Sequence, residues 1–107
     1  MLPVSAPFVS DHLLQRWWQQ CSATACTLPR EYTSEWLQLI SRVIRYYRRW
    51  LRCSRPSDGR LYRTRCRHTL AKSRWELMVL SMYGYIPSDR LNQLEKLQTA
   101  LEHSLAD

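Results

Sequence analysis

The side chains best suited to chemistry in this chain are arginines at helical spacing. In the run SRVIRYYRRWLR they recur every three or four residues, so on an α-helix they share one face. They are Arg42, Arg45, Arg48, Arg49 and Arg52. Guanidinium groups bind phosphate and carboxylate oxygens through paired hydrogen bonds, so this arginine stripe predicts a surface for an anionic partner. The apolar residues of the same segment fall on the opposite face, which predicts a core-facing side.

Positive charge continues beyond the stripe. Residues 42 to 74 carry twelve cations against the single acid Asp58, in a chain whose formal net charge is +7. The further candidates for nucleic-acid binding are Arg55, Arg60, Arg63, Arg67 and Arg74, and Arg65 and Lys72 complete the count. Each arginine that neutralises a phosphate adds salt-dependent affinity without reading base sequence. The alternatives to a nucleic acid are an acidic protein partner and a basic face that only maintains solubility.

Other reactive residues lack the neighbours that catalysis or metal binding requires. Cys53, Cys66 and His68 suggest a zinc site, but the chain has no CxxC pair. A Cys–His nucleophile would need an oxyanion hole and an orienting third group, and nothing in the sequence indicates either. We therefore expect a protein that is not an enzyme and that uses no metal and no cofactor.

Two features of the sequence pose a question of burial. Trp17 and Trp18 are adjacent, so both cannot face the same core line on a helix. Because aromatic anchors are enriched at interfaces, we expect this pair to provide an oligomer or partner contact.

Glu76 lies in the apolar run WELMVLSM, where a buried carboxylate needs a partner such as Arg42 or Arg45. The all-round apolar character of that run predicts burial on several sides.

Four helices are expected to position these residues. The chain has two glycines and no sustained apolar–polar alternation, so strands are poorly supported. The expected helices begin near Ser10, Thr33, Arg60 and Ser88 and end near Cys21, Cys53, Tyr83 and Leu105. Leucines at helical spacing in the last helix are typical of a bundle seam. We predict an all-α, up-down four-helix bundle as a single domain over residues 10 to 107, preceded by a loose arm over residues 1 to 9.

The breaks between these helices carry turn signals. Pro29 is expected to stop the first helix segment, and CSRPSDG, with Pro56 and Gly59, reads as a loop. Gly84 is expected to close the third helix in a left-handed conformation. No apolar run approaches the length of a membrane span, and the N-terminus has no basic start followed by a long apolar stretch. We therefore expect a cytoplasmic protein that does not act at a membrane, with its four cysteines reduced and buried.

The later part of the chain resembles a known family. The run TLAKSRWELMVLSMYGYIPSDRLNQLEKLQTALEHSL combines a helix with a central glutamate, a glycine-tyrosine-isoleucine turn and a leucine-rich helix. The matching residues are Glu76, Gly84, Tyr85, Ile86, Leu91, Leu94 and Leu101, and Leu28 and Pro29 match the opening before a long second helix. Over residues 28 to 105, the chain resembles the four-helix bundle family of the bacterial large-subunit rRNA intervening-sequence proteins and the accessory variability determinants of diversity-generating retroelements.

The resemblance implies a function in nucleic-acid binding. The rRNA branch usually carries an acidic segment between the second and third helices, where this chain has the basic CSRPSDGRLYRTR, and the difference favours the retroelement branch. That branch implies a basic homopentameric barrel that binds a reverse transcriptase and nucleic acid. We therefore expect an accessory protein that positions template RNA, or an RNA–DNA hybrid, and docks on the polymerase. The alternative is a small phage- or plasmid-encoded protein that binds and modulates an acidic surface of a host protein.

Overall fold

Four α-helices, and no strand, make up the part of the chain that the structure describes. The computed structural model describes the backbone of residues 5 to 106 and the side chains of residues 12 to 106. The helices are α1 (Ser5–Ala25), α2 (Arg30–Arg52), α3 (Pro56–Met82) and α4 (Ser88–Ser104). The expected all-helical class and the count of four helices are confirmed. No helix within the described residues is both long enough and apolar enough to cross a membrane.

Cross-helix hydrogen bonds show that neighbouring helices run antiparallel. The indole Nε1–H of Trp36, early in α2, donates to the carbonyl of Cys21, late in α1, at 2.9 Å. The thiol of Cys66, in the first half of α3, lies 3.6 Å from the carbonyl of Val43, in the second half of α2. Helix α1 also packs on α4 and completes the ring of contacts around one core. The molecule is an up-down four-helix bundle.

The core combines apolar side chains with one buried polar cluster. Apolar residues from all four helices line it, among them Trp17, Trp36, Tyr47 and Leu101. The side chain of Gln98 is also buried, and its Nε2 donates to the carbonyl of Leu70 at 2.7 Å. The hydroxyl of Ser73 lies 2.7 Å from the same carbonyl and 3.2 Å from Oε1 of Gln98. These contacts satisfy polar atoms that would otherwise be costly to bury, and they join α3 to α4.

Helix α1 is longer than expected at both ends. It begins at Ser5, so residues 5 to 9 belong to the helix and not to a loose arm. The first turn tolerates Pro7 because the amide that proline lacks would have no partner within the helix there. At the other end, the buried hydroxyl of Thr24 donates to the carbonyl of Gln20 at 2.9 Å and stays satisfied inside the helix. The rest of the expected arm, residues 1 to 4, lies outside the described residues.

The expected loop CSRPSDG is mostly helix. Only residues 53 to 55 connect α2 to α3, and Pro56 is the first residue of α3. Proline suits this position because its fixed φ matches the helix. Asp58 follows in the first turn, where a negative charge is favourable, and the amide of Gly59 donates to the carbonyl of Arg55 at 3.0 Å. Proline and glycine thus mark the first turn of a helix here, not a loop.

The two remaining turns differ in how well they were predicted. Pro29 directly precedes α2, and Thr33, expected to cap that helix, lies inside it with its hydroxyl donating to the carbonyl of Pro29 at 3.1 Å. The expected role of Gly84 is confirmed, because its φ is +82°. The amide of Tyr85 donates to the carbonyl of Leu80 at 3.1 Å, and that of Gly84 to the carbonyl of Ser81 at 2.9 Å. These bonds form a Schellman motif that ends α3.

The second half of α3 is not buried on several sides. Leu77 and Leu80 enter the core, but Trp75, Met78 and Met82 are exposed. The core side of α3 is completed by Cys66, Thr69, Leu70 and Ser73, four residues of which two are polar. Burial therefore follows one side of the helix, and the apolar residues on the other side face outward.

Candidate nucleic-acid interface

The arginine stripe lies on the outer face of α2, as predicted. All five of its members are exposed, whereas Trp36, Ile40, Val43 and Tyr47 of the same helix are buried. Two positions of the stripe, Arg45 and Arg52, lie opposite this buried face. The stripe runs from Arg42 to Arg52, about 15 Å along the helix axis at 1.5 Å per residue. Helix α2 therefore presents a row of cations outward while its other face holds the bundle together.

Helix α3 extends this basic surface through residues on the side that faces α2. Lys72 and Arg42 line one groove between the two helices. Arg65 precedes Lys72 by seven residues and so shares its side of α3. Next to them, the guanidinium of Arg49 lies over the ring of Tyr62, with its central carbon 5.6 Å from the ring centroid. A cation held against a ring keeps its charge and loses side-chain freedom before any ligand binds.

Arg65 and Lys72 were not among the candidate site residues, although both belong to the basic segment. Besides Arg60, the candidates on α3 are Arg63, Arg67 and Arg74, which would extend the stripe's surface if α2 and α3 pack side by side. The helices do pack in this way, but α3 turns a different side toward α2. Seven residues separate Arg65 from Lys72, but the same spacing separates Arg67 from Arg74, so spacing alone does not indicate which pair faces α2.

Arg74 lies on the side of α3 that faces α4, which corrects its assignment to the stripe's surface. Its guanidinium forms a salt bridge with Glu102 and lies 3.3 Å from the hydroxyl of Thr99, both on α4. Arg67 precedes it by seven residues and shares that side of the helix. The carboxylate neutralises the Arg74 charge locally, so this arginine contributes little to a phosphate-binding surface on α2.

The connection between α2 and α3 adds a second group of cations at one end of the bundle. Arg55, Arg60 and Arg63 surround a shallow pocket of about 270 Å³, together with Trp50. Arg55 and Arg60 are exposed, whereas Arg63 is half-buried. Along the chain, Arg52 of the stripe precedes Arg55 by three residues. We call the stripe, Arg65, Lys72 and these three arginines together the basic surface.

The structure divides the expected tryptophan pair. Trp17 is 0% exposed and belongs to the core, so it provides no partner contact in this fold. Trp18 is half-buried and lines a surface groove between α1 and α2 with Ile44, Ser41 and Arg48. Of the two, only Trp18 can contact a partner. The interface role of Trp18 stays a prediction.

The carboxylate and thiol candidates form neither the expected salt bridge nor a metal site among the described residues. Glu76 is half-buried and lines the groove that contains Arg42, but it forms no salt bridge with Arg42 or Arg45 among the described residues. No group of three or more His, Cys, Asp or Glu within the described part of the chain is placed to hold a metal ion.

The four cysteines are free thiols, and they differ in burial. Cys21 and Cys66 are buried as expected, while Cys26 is exposed and Cys53 is half-buried. Burial raises the pKa of the Cys66 thiol to about 12 and raises that of Cys21 as well. Because the thiolate is the reactive form, these two residues are inert members of the core.

The site can therefore attract and hold a polyanion, and its cations belong mainly to α2, the α2-facing side of α3 and the connection between them. Comparison of the chain with family models, with curated proteins and with solved structures finds no match. The resemblance to the rRNA intervening-sequence and retroelement accessory proteins stays a prediction.

Proposed function

We propose that this protein binds nucleic acid on the basic surface of α2 and α3, as an accessory protein of a retroelement reverse transcriptase. The observation that carries the proposal is the row of five exposed arginines on α2, extended by Arg65 and Lys72 on α3. Phosphates recur at regular steps along a nucleic-acid strand, so a linear row of cations can contact several of them at once. The protein then positions template RNA or an RNA–DNA hybrid by its backbone and shape.

The outer face of α2 favours a nucleic acid over an acidic protein. Protein interfaces combine charge with an apolar centre that excludes water. Within the described residues, the large apolar side chains that are clearly exposed all lie outside α2; they are Leu61, Trp75, Met78, Met82 and Tyr83. The arginine stripe therefore offers charge without an apolar anchor. Burial of Trp17 also removes half of the tryptophan pair that was expected to provide an oligomer or partner contact.

The polymerase part of the proposal follows from the family resemblance. In it, the reverse transcriptase performs phosphoryl transfer, and this protein concentrates and orients the nucleic acid. The resemblance also implies a homo-oligomer, a pentamer, which would repeat the basic surface around an axis. A reverse-transcriptase gene adjoining this one would support this part of the proposal.

The experiment that tests nucleic-acid binding is mass-resolved size exclusion of the purified protein with and without a structured RNA. We expect a complex at low salt that dissociates as salt rises, because counterion release drives such binding. Polyglutamate with a similar number of charges serves as the control polyanion. A protein that ignores the RNA, or that binds polyglutamate equally well, would refute the proposal. The masses also report the oligomeric state of the free protein.

A further inference from the structure

An apolar patch on α3 has no role in the basic surface. It consists of Trp75, Met78, Met82 and Tyr83, whose side chains are 63%, 46%, 80% and 60% exposed. The first three are spaced at i, i+3 and i+7, so they form one line along the helix. We call these four residues the α3 patch. Single exposed apolar residues are ordinary, but contiguous ones mark interaction sites.

The patch lies beside a groove with carboxylates at its near end. The groove, of about 530 Å³, runs between α2 and α3 next to Trp75. The contact between Cys66 and Val43 sets the helix register and places Glu35 of α2 at about the level of Glu76 of α3. Neither of these two groove carboxylates forms a salt bridge within 4 Å among the described residues. The groove's cations lie on the side toward the stripe, Lys72 one helical turn from Glu76 and Arg42 two turns from Glu35.

We propose that the α3 patch binds an amphipathic helix of a protein partner, whose apolar side chains are flanked by lysine or arginine. The partner's role, docking of a polymerase, rests on the proposed function. The surface itself is argued from the structure. An exposed tryptophan is a typical anchor of such contacts. Methionines adapt their shape to the side chains of a bound helix. The partner helix lies along α3 with its cations near Glu35 and Glu76.

The same carboxylates disfavour the other occupants. Phosphates of a nucleic acid, or of an anionic membrane, would approach Glu35 and Glu76 and be repelled. A second copy packed antiparallel on the patch about a twofold axis would place the two Glu76 side chains on the same side of the interface, where they repel. A helix whose cations lie at the level of Glu35 and Glu76 is attracted there and keeps clear of Lys72 and Arg42, which lie toward the stripe. The patch and the basic surface therefore suit partners of opposite charge on one molecule.

The test measures binding of two labelled helical peptides by fluorescence anisotropy at moderate salt. Both carry leucines at i, i+3, i+4 and i+7; one has flanking lysines and the other flanking glutamines. We expect the lysine peptide to bind several-fold more tightly, although the protein itself has a net charge of +7. Trp75→Ser with Met82→Ser should weaken its binding at least tenfold. The matched control is Leu61→Ser, an exposed apolar residue at the other end of α3, which should change nothing.

A charge reversal separates the carboxylates from the apolar contact. In Glu35→Lys with Glu76→Lys, the lysine peptide should lose its advantage over the glutamine peptide. The proposal is overturned if the lysine peptide does not bind, if the patch variant binds it unchanged, or if the patch instead mediates self-association or binding to anionic vesicles. RNA binding by the patch variant should match that of the unmodified protein. Loss of peptide binding alone, and loss of RNA binding alone, thus identify which proposal fails.

Discussion

Removing two arginines from the outer line of α2 should lower the salt dependence of RNA binding by a predictable amount. The double variant is Arg45→Gln with Arg52→Gln. Both side chains are exposed and lie opposite the buried face of α2, so the substitutions leave the core unchanged. Glutamine keeps a polar side chain of similar length and a good helix propensity. The change in binding then reports on charge and not on folding.

The length of the stripe sets the size of the effect. A single strand with its bases stacked as in a duplex carries one phosphate per about 3.4 Å, so the roughly 15 Å from Arg42 to Arg52 faces about four phosphates. For single strands the slope of log affinity against log salt is then about −0.7 × 4, or about −2.8. With two contacts removed it becomes about −1.4. Between about 50 and 200 mM salt, affinity should fall about 50-fold for the unmodified protein and about 7-fold for the variant.

Filter binding or anisotropy with a short unpaired RNA, repeated at four or five salt concentrations, measures these slopes. The matched control is Arg74→Gln with Lys96→Gln, which removes two positive charges on the side of the bundle formed by α3 and α4. The Arg74–Glu102 pair lies at the surface, so loss of Arg74 costs little stability. Because Glu102 already neutralises Arg74, the slope should stay near the unmodified value. If both double variants change the slope equally, only net charge matters, and the proposed location of the interface is wrong.

Three further predictions concern the bundle itself. Gln98→Leu should change the free energy of unfolding by less than about 1 kcal/mol, because the Ser73 hydroxyl keeps its backbone acceptor. Gln98→Ala should lower it by about 2–3 kcal/mol, because the smaller side chain leaves a cavity. Urea unfolding distinguishes the two variants. Gly84→Ala should lower stability by about 1 kcal/mol in a thermal melt, since φ is +82° while the space around it is open. Iodoacetamide should label Cys26 well before Cys66 at pH 8, as mass spectrometry can show. Folding raises the pKa of the Cys66 thiol from its ordinary value of 9.0 to about 12, so above pH 9 the unfolded protein loses this proton more readily than the folded protein. The free energy of unfolding should therefore fall as pH rises above 9.

The sequence predicts α2 well because its two faces differ sharply. Arginines and apolar residues separate on the helical wheel, so the buried line through Trp36, Ile40 and Val43 and the exposed stripe follow from spacing alone. Gly84 was equally predictable, since a left-handed residue after a helix favours glycine. These are positions where one physical preference acts without competition.

The rotation of α3 about its axis was not predictable by the same means. Cations surround its first half, and its core side includes the polar Thr69 and Ser73, so no apolar stripe indicates which side is buried. The second half is apolar nearly all round, which hides the difference between buried Leu77 and exposed Trp75. Only the contacts with α2 and α4 fix the rotation, and these decide that Lys72, and not Arg74, adjoins the stripe.

The antiparallel register of α2 and α3 also makes the bundle a spacer of defined length. By the contact between Cys66 and Val43, Arg48 in the middle of the stripe lies at about the level of Leu61, whereas the α3 patch centres near Met78. These levels are about 25 Å apart along the axis at 1.5 Å per residue. Partners held at both places would be kept at that separation by a rigid body, without a flexible linker. Their effective concentration toward each other would then depend on helix length, so that a heptad inserted at matching levels of all four helices would move them about 10 Å further apart.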